Sequence, residues 1–203
     1  MWLPTNWTEP MKINEIFYSL QGEGYHSGEA AVFVRLSGCN LRCPFCDTQH
    51  ESGREMSEEE IVETVKAYPA RLVVVTGGEP ALQLTPTLVD ALHSVGRYVA
   101  VETNGTRPLP PNVDWVTLSP KDLFVGPQAE PVLARADELK VVFDGKHDLP
   151  SYDGIAVQHR FLQPCDTGDP RRNALVTAAA VAYIKCHPEW RLSLQIHKII
   201  DIP

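Results

Sequence analysis

The chain has 203 residues, of which 43% are hydrophobic and 22% are charged, and its formal net charge is −8. This length suits a single domain, residues 1–203, with residues 1–10 as an N-terminal tail. The negative charge argues against a nucleic-acid partner, which needs clustered Lys and Arg. No apolar run approaches the roughly 18 residues of a membrane span, and the N-terminus lacks the regions of a signal peptide. We therefore expect a cytoplasmic protein that acts on a small molecule, with no membrane partner.

In chain order, strands alternate with polar loops and some helices. Residues 12–20 predict a strand that runs into the glycine-rich turn at residues 21–24, and the apolar residues 30–36 predict a buried parallel strand. Ser57 and Glu60 form a capping box that predicts the start of a helix. Further strands are predicted over residues 71–75, 98–102, 114–118, 138–143, 159–162 and 191–196, and further helices over residues 84–95 and 170–187.

Several of these strands end in loops that carry ligand-competent residues, which indicates a parallel sheet with its site at one rim. Residues 103–113 and 119–137 are Pro-rich and show no convincing helix. A complete eightfold barrel also needs about 250 residues. The prediction is an α/β fold: a partial, open TIM-like barrel with about six parallel strands and a reduced set of helices.

Three of the five cysteines, Cys39, Cys43 and Cys46, lie within eight residues in the pattern C-x3-C-x2-C. Thiolates are soft ligands that suit zinc or iron–sulfur clusters, and three of them leave one metal position open for a ligand that is not protein. Buried or disulfide-forming thiols are the simpler alternative. The odd count and the short intervals favour a shared metal in a reducing compartment.

The cysteine pattern resembles the signature of the radical S-adenosylmethionine (SAM) enzymes, whose three cysteines hold a [4Fe–4S] cluster while SAM chelates the fourth iron. The likeness extends to residues 17–24 (FYSLQGEG), 76–80 (TGGEP) and 195–198 (QIHK). Together these segments resemble the 7-carboxy-7-deazaguanine synthase family of queuosine and 7-deazapurine biosynthesis, a pathway of tRNA modification. The resemblance covers nearly the full length beyond the first ten residues.

This resemblance implies a lyase that converts 6-carboxy-5,6,7,8-tetrahydropterin into 7-carboxy-7-deazaguanine. The reduced cluster cleaves SAM to a 5′-deoxyadenosyl radical, which takes a hydrogen from C6 of the pterin; the ring contracts, ammonia leaves and SAM is regenerated. The cluster and SAM carry the chemistry, so no side chain is assigned a catalytic role. A homodimer and an unidentified electron donor such as flavodoxin are also implied.

Site residues follow from the resemblance, position by position. Cys39, Cys43 and Cys46 hold the cluster, and Thr48 binds a Mg²⁺ ion that bridges to the substrate carboxylate. The positions that match the SAM site are Phe45, Gly78, Glu79, Ser119, Pro120, Lys121, Gln163, Pro164, Cys165 and Asp166. The positions assigned to the pterin are Leu20, Gln21, Gly22, Arg35, Thr76, His197 and Pro203, the last through its carboxylate.

Several of these assignments have a simpler alternative. Arg35 could form a structural ion pair, Thr48 could cap a turn, and His197 could be a satisfied structural histidine. Another radical SAM enzyme, such as an activase of a glycyl radical enzyme, would share the cysteines and the TGGEP loop. A non-enzymatic zinc or iron–sulfur module would need the cysteines alone.

Overall fold

The computed structural model describes residues 9–203, so most of the predicted N-terminal tail lies outside the described residues. The strands of this part are β1 Met11–Leu20, β2 Ala30–Leu36, β3 Arg54–Met56, β4 Leu72–Gly77, β5 Tyr98–Thr103, β6 Trp115–Leu118, β7 Arg135–Phe143, β8 Ala156–Pro164 and β9 Trp190–Leu192. The α-helices are α1 Glu58–Lys66, α2 Pro86–Ser94, α3 Asp122–Val125, α4 Pro170–Cys186 and α5 Ile196–Ile200, and 3₁₀ turns lie at Pro80–Leu82 and Pro127–Ala129.

All nine strands belong to one sheet in the order β3-β1-β2-β4-β5-β6-β7-β8-β9. The run from β2 through β4 to β9 is parallel, whereas β1 pairs antiparallel with β2 and β3 pairs antiparallel with β1. Because the order begins at β3 and ends at β9, the sheet is open. The predicted partial, open barrel is confirmed, with seven parallel strands where about six were expected.

The helices cover one face of the sheet. Valines of β2, β4 and β5 pack with α1 and α2, and leucines of β7 and β8 pack with α4. The opposite face carries a second apolar layer that includes Phe33, Val74 and Trp115. No helix among residues 9–203 is long and apolar enough to cross a bilayer.

The predicted capping box is present. The side chain of Ser57 accepts a hydrogen bond from the Glu60 N–H at 3.2 Å, and the Glu60 carboxylate accepts one from the Ser57 N–H at 2.7 Å. The reduced helix set is also present: the segment after β6 contains only the four-residue α3 and one 3₁₀ turn before β7. Proline-rich sequence lacks the N–H groups that a longer helix needs.

The last predicted strand, residues 191–196, is wrong in its second half. Strand β9 ends at Leu192, and α5 begins at Ile196. Ser193 is buried, and its hydroxyl donates to Gln163 Oε1 at 2.9 Å and accepts from the Gly24 N–H at 3.0 Å. These bonds hold the Ser193 side chain in the interior, while its N–H still donates to the Leu162 carbonyl of β8 at 3.0 Å; beyond Ser193 the chain leaves the sheet edge and enters α5.

The loops after β2 and β4 lie directly against each other. The Gly78 N–H donates to the Leu36 carbonyl at 3.0 Å, and the Glu79 N–H donates to the Gly38 carbonyl at 2.9 Å. A Cβ atom on Gly78 would collide with the Gly38 carbonyl oxygen, which is backbone. The loop after β4 thus fixes the segment that leads into Cys39.

We expect Gly78→Ala to destabilise the protein by about 1–3 kcal/mol, because the added methyl group must push two backbones apart. Chemical denaturation measures this cost. The matched control is Gly154→Ala, where a Cβ would meet no atom within 4 Å; its effect should stay within about 0.5 kcal/mol. Equal effects of the two substitutions would contradict the close contact.

Candidate active site

A cavity of about 950 Å³ opens at the ends of the parallel strands. All the predicted site residues line it except Glu79 and Pro120. The carboxyl ends of parallel strands meet at one rim of the sheet, so side chains distant in sequence converge there. The structure therefore brings together the cysteine loop, the turn after β1, the strand ends and the C-terminal segment.

The three cysteines of the motif are free and share one loop of the cavity wall. Burial is the largest effect on Cys39 and Cys43 and raises the pKa of both thiols. The nearby Lys121 ammonium opposes this change but does not cancel it. The Leu41 N–H also donates to Cys39 Sγ at 3.4 Å, and such bonds favour thiolate. Of the other cysteines, Cys165 lines the cavity, whereas Cys186 lies exposed on α4.

This donor set fits a thiolate-bound cluster. Three free cysteines face one cavity that is also bordered by polar strand ends, and none of them is lost to a disulfide. Within residues 9–203, no three His, Cys, Asp or Glu side chains are gathered closely enough to form a site for a single metal ion. A cluster with an open iron needs three thiolates from the protein and leaves space beside them.

Glu79 lies behind the cavity wall and is completely buried. Its carboxylate accepts hydrogen bonds from the Thr103 hydroxyl at 2.6 Å and the Asn104 N–H at 2.7 Å. Burial raises the pKa of Glu79, although these hydrogen bonds oppose the change. Glu79 thus joins the loops after β4 and β5, and its carboxylate is occupied within the protein.

The floor of the cavity holds a buried charge network that sequence reasoning missed. Lys140 Nζ lies 2.5 Å from Glu23 Oε2 and 3.4 Å from Glu102 Oε1, and its side chain is 4% exposed. Gln21 Nε2 donates to Glu102 at 3.0 Å, and Gln195 Nε2 donates to Glu23 at 3.0 Å. The available signal was a lysine inside the apolar run of residues 138–143, which required an acidic partner.

Opposite effects set the charges of this network. Burial alone would raise the pKa of Glu23, but the Lys140 ammonium and its hydrogen bond lower that pKa to about 2. Burial alone would lower the pKa of Lys140, but the carboxylates of Glu102, Glu23 and Glu138 raise it. Lys140 and Glu23 are therefore ionised at neutral pH, which keeps a fixed ion pair beneath the cavity.

Arg35 stands at the end of β2 and forms an ion pair, the simpler of its two predicted roles, while its contact with a substrate carboxylate stays a prediction. Its Nε lies 2.8 Å from Glu15 Oε1, an ion pair on the neighbouring strand, and its guanidinium lies over the Phe17 ring at 5.2 Å. Arg35 also lines the cavity. These contacts hold the cation at the rim, where an anionic ligand group could reach it.

The C-terminal segment closes one side of the cavity. The Ile196 N–H donates to the Gly22 carbonyl at 3.1 Å, and the Ser19 hydroxyl donates to the Pro203 oxygen at 2.8 Å. His197 packs so close to Gly22 that a Cβ at that glycine would overlap its Nδ1. Asp47, Gln195 and Lys198 also line the cavity, and sequence reasoning gave none of them a role.

Aromatic contacts support the cysteine loop from outside. The Phe45 ring, between Cys43 and Cys46, packs edge to face on Phe124 of α3 with the ring centroids 4.6 Å apart. The rings of Phe124 and His147 lie 5.9 Å apart. The short α3 thus packs against the loop that carries the cysteines and supports it.

Comparisons with known proteins agree with this geometry. The sequence model of the Radical SAM superfamily matches residues 33–122, which contain the cysteine loop and the ends of β2, β4 and β5. The open parallel sheet, the three free cysteines at its rim and this match define a radical SAM protein. Membership of this superfamily implies a [4Fe–4S] cluster and SAM as cofactors.

The relatives narrow the class further. The chain is 54% identical to the 7-carboxy-7-deazaguanine synthase of Bacteroides thetaiotaomicron, over 94% of this chain and 98% of that protein. It is 43% identical to the 7-carboxy-7-deazaguanine synthase of Bordetella pertussis over the same shares. The crystal structure of QueE from Escherichia coli superposes with a TM-score of 0.73 at 30% identity, covering 93% of this chain and 95% of that one. The chain belongs to the 7-carboxy-7-deazaguanine synthase family.

We expect Lys140→Met to destabilise the protein by roughly 3–5 kcal/mol, because it leaves buried carboxylates without their counter-ion. Urea denaturation at neutral pH measures the change. The control, Lys66→Met, removes an exposed ion pair to Glu63 on α1, with side chains 45% and 61% exposed; it should cost at most about 1 kcal/mol. A Lys140 variant as stable as the control would show that the network is not coupled to folding.

Proposed function

We propose that the protein converts 6-carboxy-5,6,7,8-tetrahydropterin into 7-carboxy-7-deazaguanine with loss of ammonia, a step of queuosine and 7-deazapurine synthesis. The observation that carries this proposal is the shared cavity. One space of about 950 Å³ is lined by the cysteine loop and by each segment through which the sequence resembles the family. Family membership at 54% identity gives independent support.

In this proposal Cys39, Cys43 and Cys46 bind the [4Fe–4S] cluster, which together with SAM supplies a 5′-deoxyadenosyl radical at the cavity. The residues assigned to SAM lie in or next to the cysteine loop: Phe45 lies within it, and Gly78 packs against the backbone at its start. The remaining SAM residues that line the cavity are Ser119, Lys121, Gln163, Pro164, Cys165 and Asp166. Glu79 and Pro120 are also assigned to SAM but do not line the cavity; the Glu79 N–H donates to the Gly38 carbonyl at 2.9 Å and so holds the backbone that leads into Cys39.

The pterin is assigned to a second set of residues that line the same cavity. Arg35 offers a cation for the substrate carboxylate, and its ion pair with Glu15 keeps that cation at the rim. The other pterin residues are Leu20, Gln21, Gly22, Thr76, His197 and Pro203, all of which line the same cavity. We assign the Pro203 carboxylate to the guanidine-like edge of the pterin; the Ser19 hydroxyl, which donates to the Pro203 oxygen at 2.8 Å, supports this by holding the chain end at the cavity.

The direct test is anaerobic reconstitution with iron and sulfide, followed by incubation with SAM, a chemical reductant, Mg²⁺ and 6-carboxytetrahydropterin. We expect 7-carboxy-7-deazaguanine and ammonia as products. The Cys43→Ser variant should lack the brown colour of the iron–sulfur cluster, should bind no iron and should form no product. Cys186→Ser, the matched control on the exposed end of α4, should keep all three.

Other outcomes would favour the rival functions. Reductive cleavage of SAM without a deazaguanine product would contradict the proposed substrate and favour another radical SAM reaction, such as activation of a glycyl radical enzyme. A colourless protein that binds one zinc ion and does not cleave SAM would favour the non-enzymatic module.

Thr48 is assigned to Mg²⁺. It lines the cavity two residues after Cys46, beside the space given to the substrate carboxylate. A hydroxyl ligand suits Mg²⁺, which is a hard ion that takes oxygen ligands and keeps several of its waters.

We expect Thr48→Val to raise the Mg²⁺ concentration for half-maximal product formation by at least about tenfold, because one ligand of the ion is lost. A titration of the initial rate with Mg²⁺ measures this. Thr64→Val on α1, whose hydroxyl donates to the Glu60 carbonyl, is the control and should leave the titration unchanged. The assignment is wrong if the two titrations coincide.

Three further proposals rest mainly on the family. We propose that the protein forms a homodimer, for which analytical ultracentrifugation should give twice the chain mass of 22.6 kDa. We propose that a small redox protein such as flavodoxin supplies the electron that reduces the cluster. This protein should be able to replace the chemical reductant in the product assay. The free cysteines support the cytoplasm as its compartment, and fractionation of cells should recover the protein there.

A further inference from the structure

The C-terminal segment, residues 195–203, is tied to β1 and to the turn that follows it. Its backbone bonds to Gly22, and the Ser19 hydroxyl bonds to its last residue. Asp201 adopts the left-handed conformation, with φ of 55°, and the Ile202 N–H donates to the His197 carbonyl at 3.1 Å. This turn folds the end of the segment back toward β1.

One side chain of the segment reaches two loops at once. Lys198 Nζ lies 2.8 Å from Asp47 Oδ2 and 3.0 Å from Asp166 Oδ2. It also donates to Gln195 Oε1 at 3.0 Å, so all three of its hydrogens have a partner. Asp47 directly follows the cysteine motif, and Asp166 is the second residue after β8.

The two carboxylates depend on this cation. Without Lys198, Asp47 and Asp166 would be neighbouring like charges on separate loops and would repel each other. Hydrogen bonds from the Gly168 N–H at 3.0 Å and from Asn173 Nδ2 at 2.7 Å hold Asp166 on its own loop. Asp47 also accepts a hydrogen bond from Gln195 Nε2 at 3.5 Å, but Lys198 is the side chain that contacts both Asp47 and Asp166.

The energy of these pairs indicates a geometric role. The side chains of Lys198, Asp47 and Asp166 are 36%, 57% and 36% exposed, and exposed ion pairs contribute little to global stability. A bridge between two loops can nevertheless fix their separation, and binding sites are sensitive to small displacements.

We propose that Lys198 is a positioning residue that holds the end of the cysteine loop, with Thr48, against the loop at residues 163–166. The inference rests on the proposed function, in which the first loop serves Mg²⁺ and the substrate and the second serves SAM. Lys198 acts through Asp47 and Asp166. It therefore sets the geometry of two neighbouring loops that line one cavity.

The test compares Lys198→Met, which keeps the length and removes the charge, with Lys198→Arg, which keeps the charge. Lys66→Met is the control, since it also removes a lysine–carboxylate pair outside the cavity. Hydrogen exchange of the full chain without cofactors reports on the loops directly. We expect amides of residues 46–50 and 165–168 to exchange faster in Lys198→Met, and to exchange as in the wild type in Lys198→Arg and in the control.

Calorimetry on the cluster-loaded protein gives the second readout. SAM should bind more weakly to Lys198→Met by a factor on the order of five, with unchanged iron content, and Lys198→Arg should restore its affinity. Titration with the pterin should show a similar loss. If the wild type binds SAM but no pterin, the proposed function fails while the exchange and SAM arms still decide the role of Lys198.

Two results would overturn the inference. One is loop exchange and SAM affinity in Lys198→Met equal to those of the wild type. The other is faster exchange across the whole chain together with a lower melting temperature, which would show a general structural role.

Discussion

The close contact between the loops after β2 and β4 is the constraint on which the site depends. Two backbone hydrogen bonds join Leu36 and Gly38 to Gly78 and Glu79, and there is no space for a side chain between them. Because parallel strands β2 and β4 are neighbours, the cysteine loop and the TGGEP loop leave the sheet side by side. A cluster held by one loop and a cofactor held by the other would then be adjacent because the two strand ends are adjacent.

Charge inside the barrel is the second organising feature. Lys140 is buried with carboxylates from the turn after β1 and from the end of β5, and Gln195 extends the network to the C-terminal segment. Such networks contribute little net stability compared with apolar packing, but they require one arrangement of their members. The floor of the cavity is thereby fixed by residues that are far apart in sequence.

The helices are few because the segments after β5 and β6 are rich in proline, which lacks the N–H group that a helix needs. Full helices α1, α2 and α4 pack on the outer face, while the segments after β5 and β6 remain loops and short turns. Phe124 of α3 packs on Phe45, so this short helix stabilises the cysteine loop. After β9 the chain leaves the sheet edge and forms α5, and the Ser193 side chain between the two elements is buried.

The sequence by itself determined what depends on local pattern. The buried strand runs, the capping box at Ser57, the glycine-bearing strand ends and the C-x3-C-x2-C loop were all readable, because hydrophobic period, turn chemistry and ligand spacing are local properties. Those signals sufficed for the fold class and for the family, and they named most of the residues that line the cavity.

Only the tertiary structure decided which distant groups meet. Nothing near Lys140 or Lys198 in the chain identifies Glu23, Asp47 or Asp166 as its partner, because those pairings depend on strand order and on the path of the C-terminal segment. Glu79 shows the same limit: its motif marked it as a ligand-binding position, but the fold turned its carboxylate inward to Thr103 and Asn104. Local pattern fixes what each segment can form, whereas the contacts of a buried charge are set by the neighbours that the fold supplies.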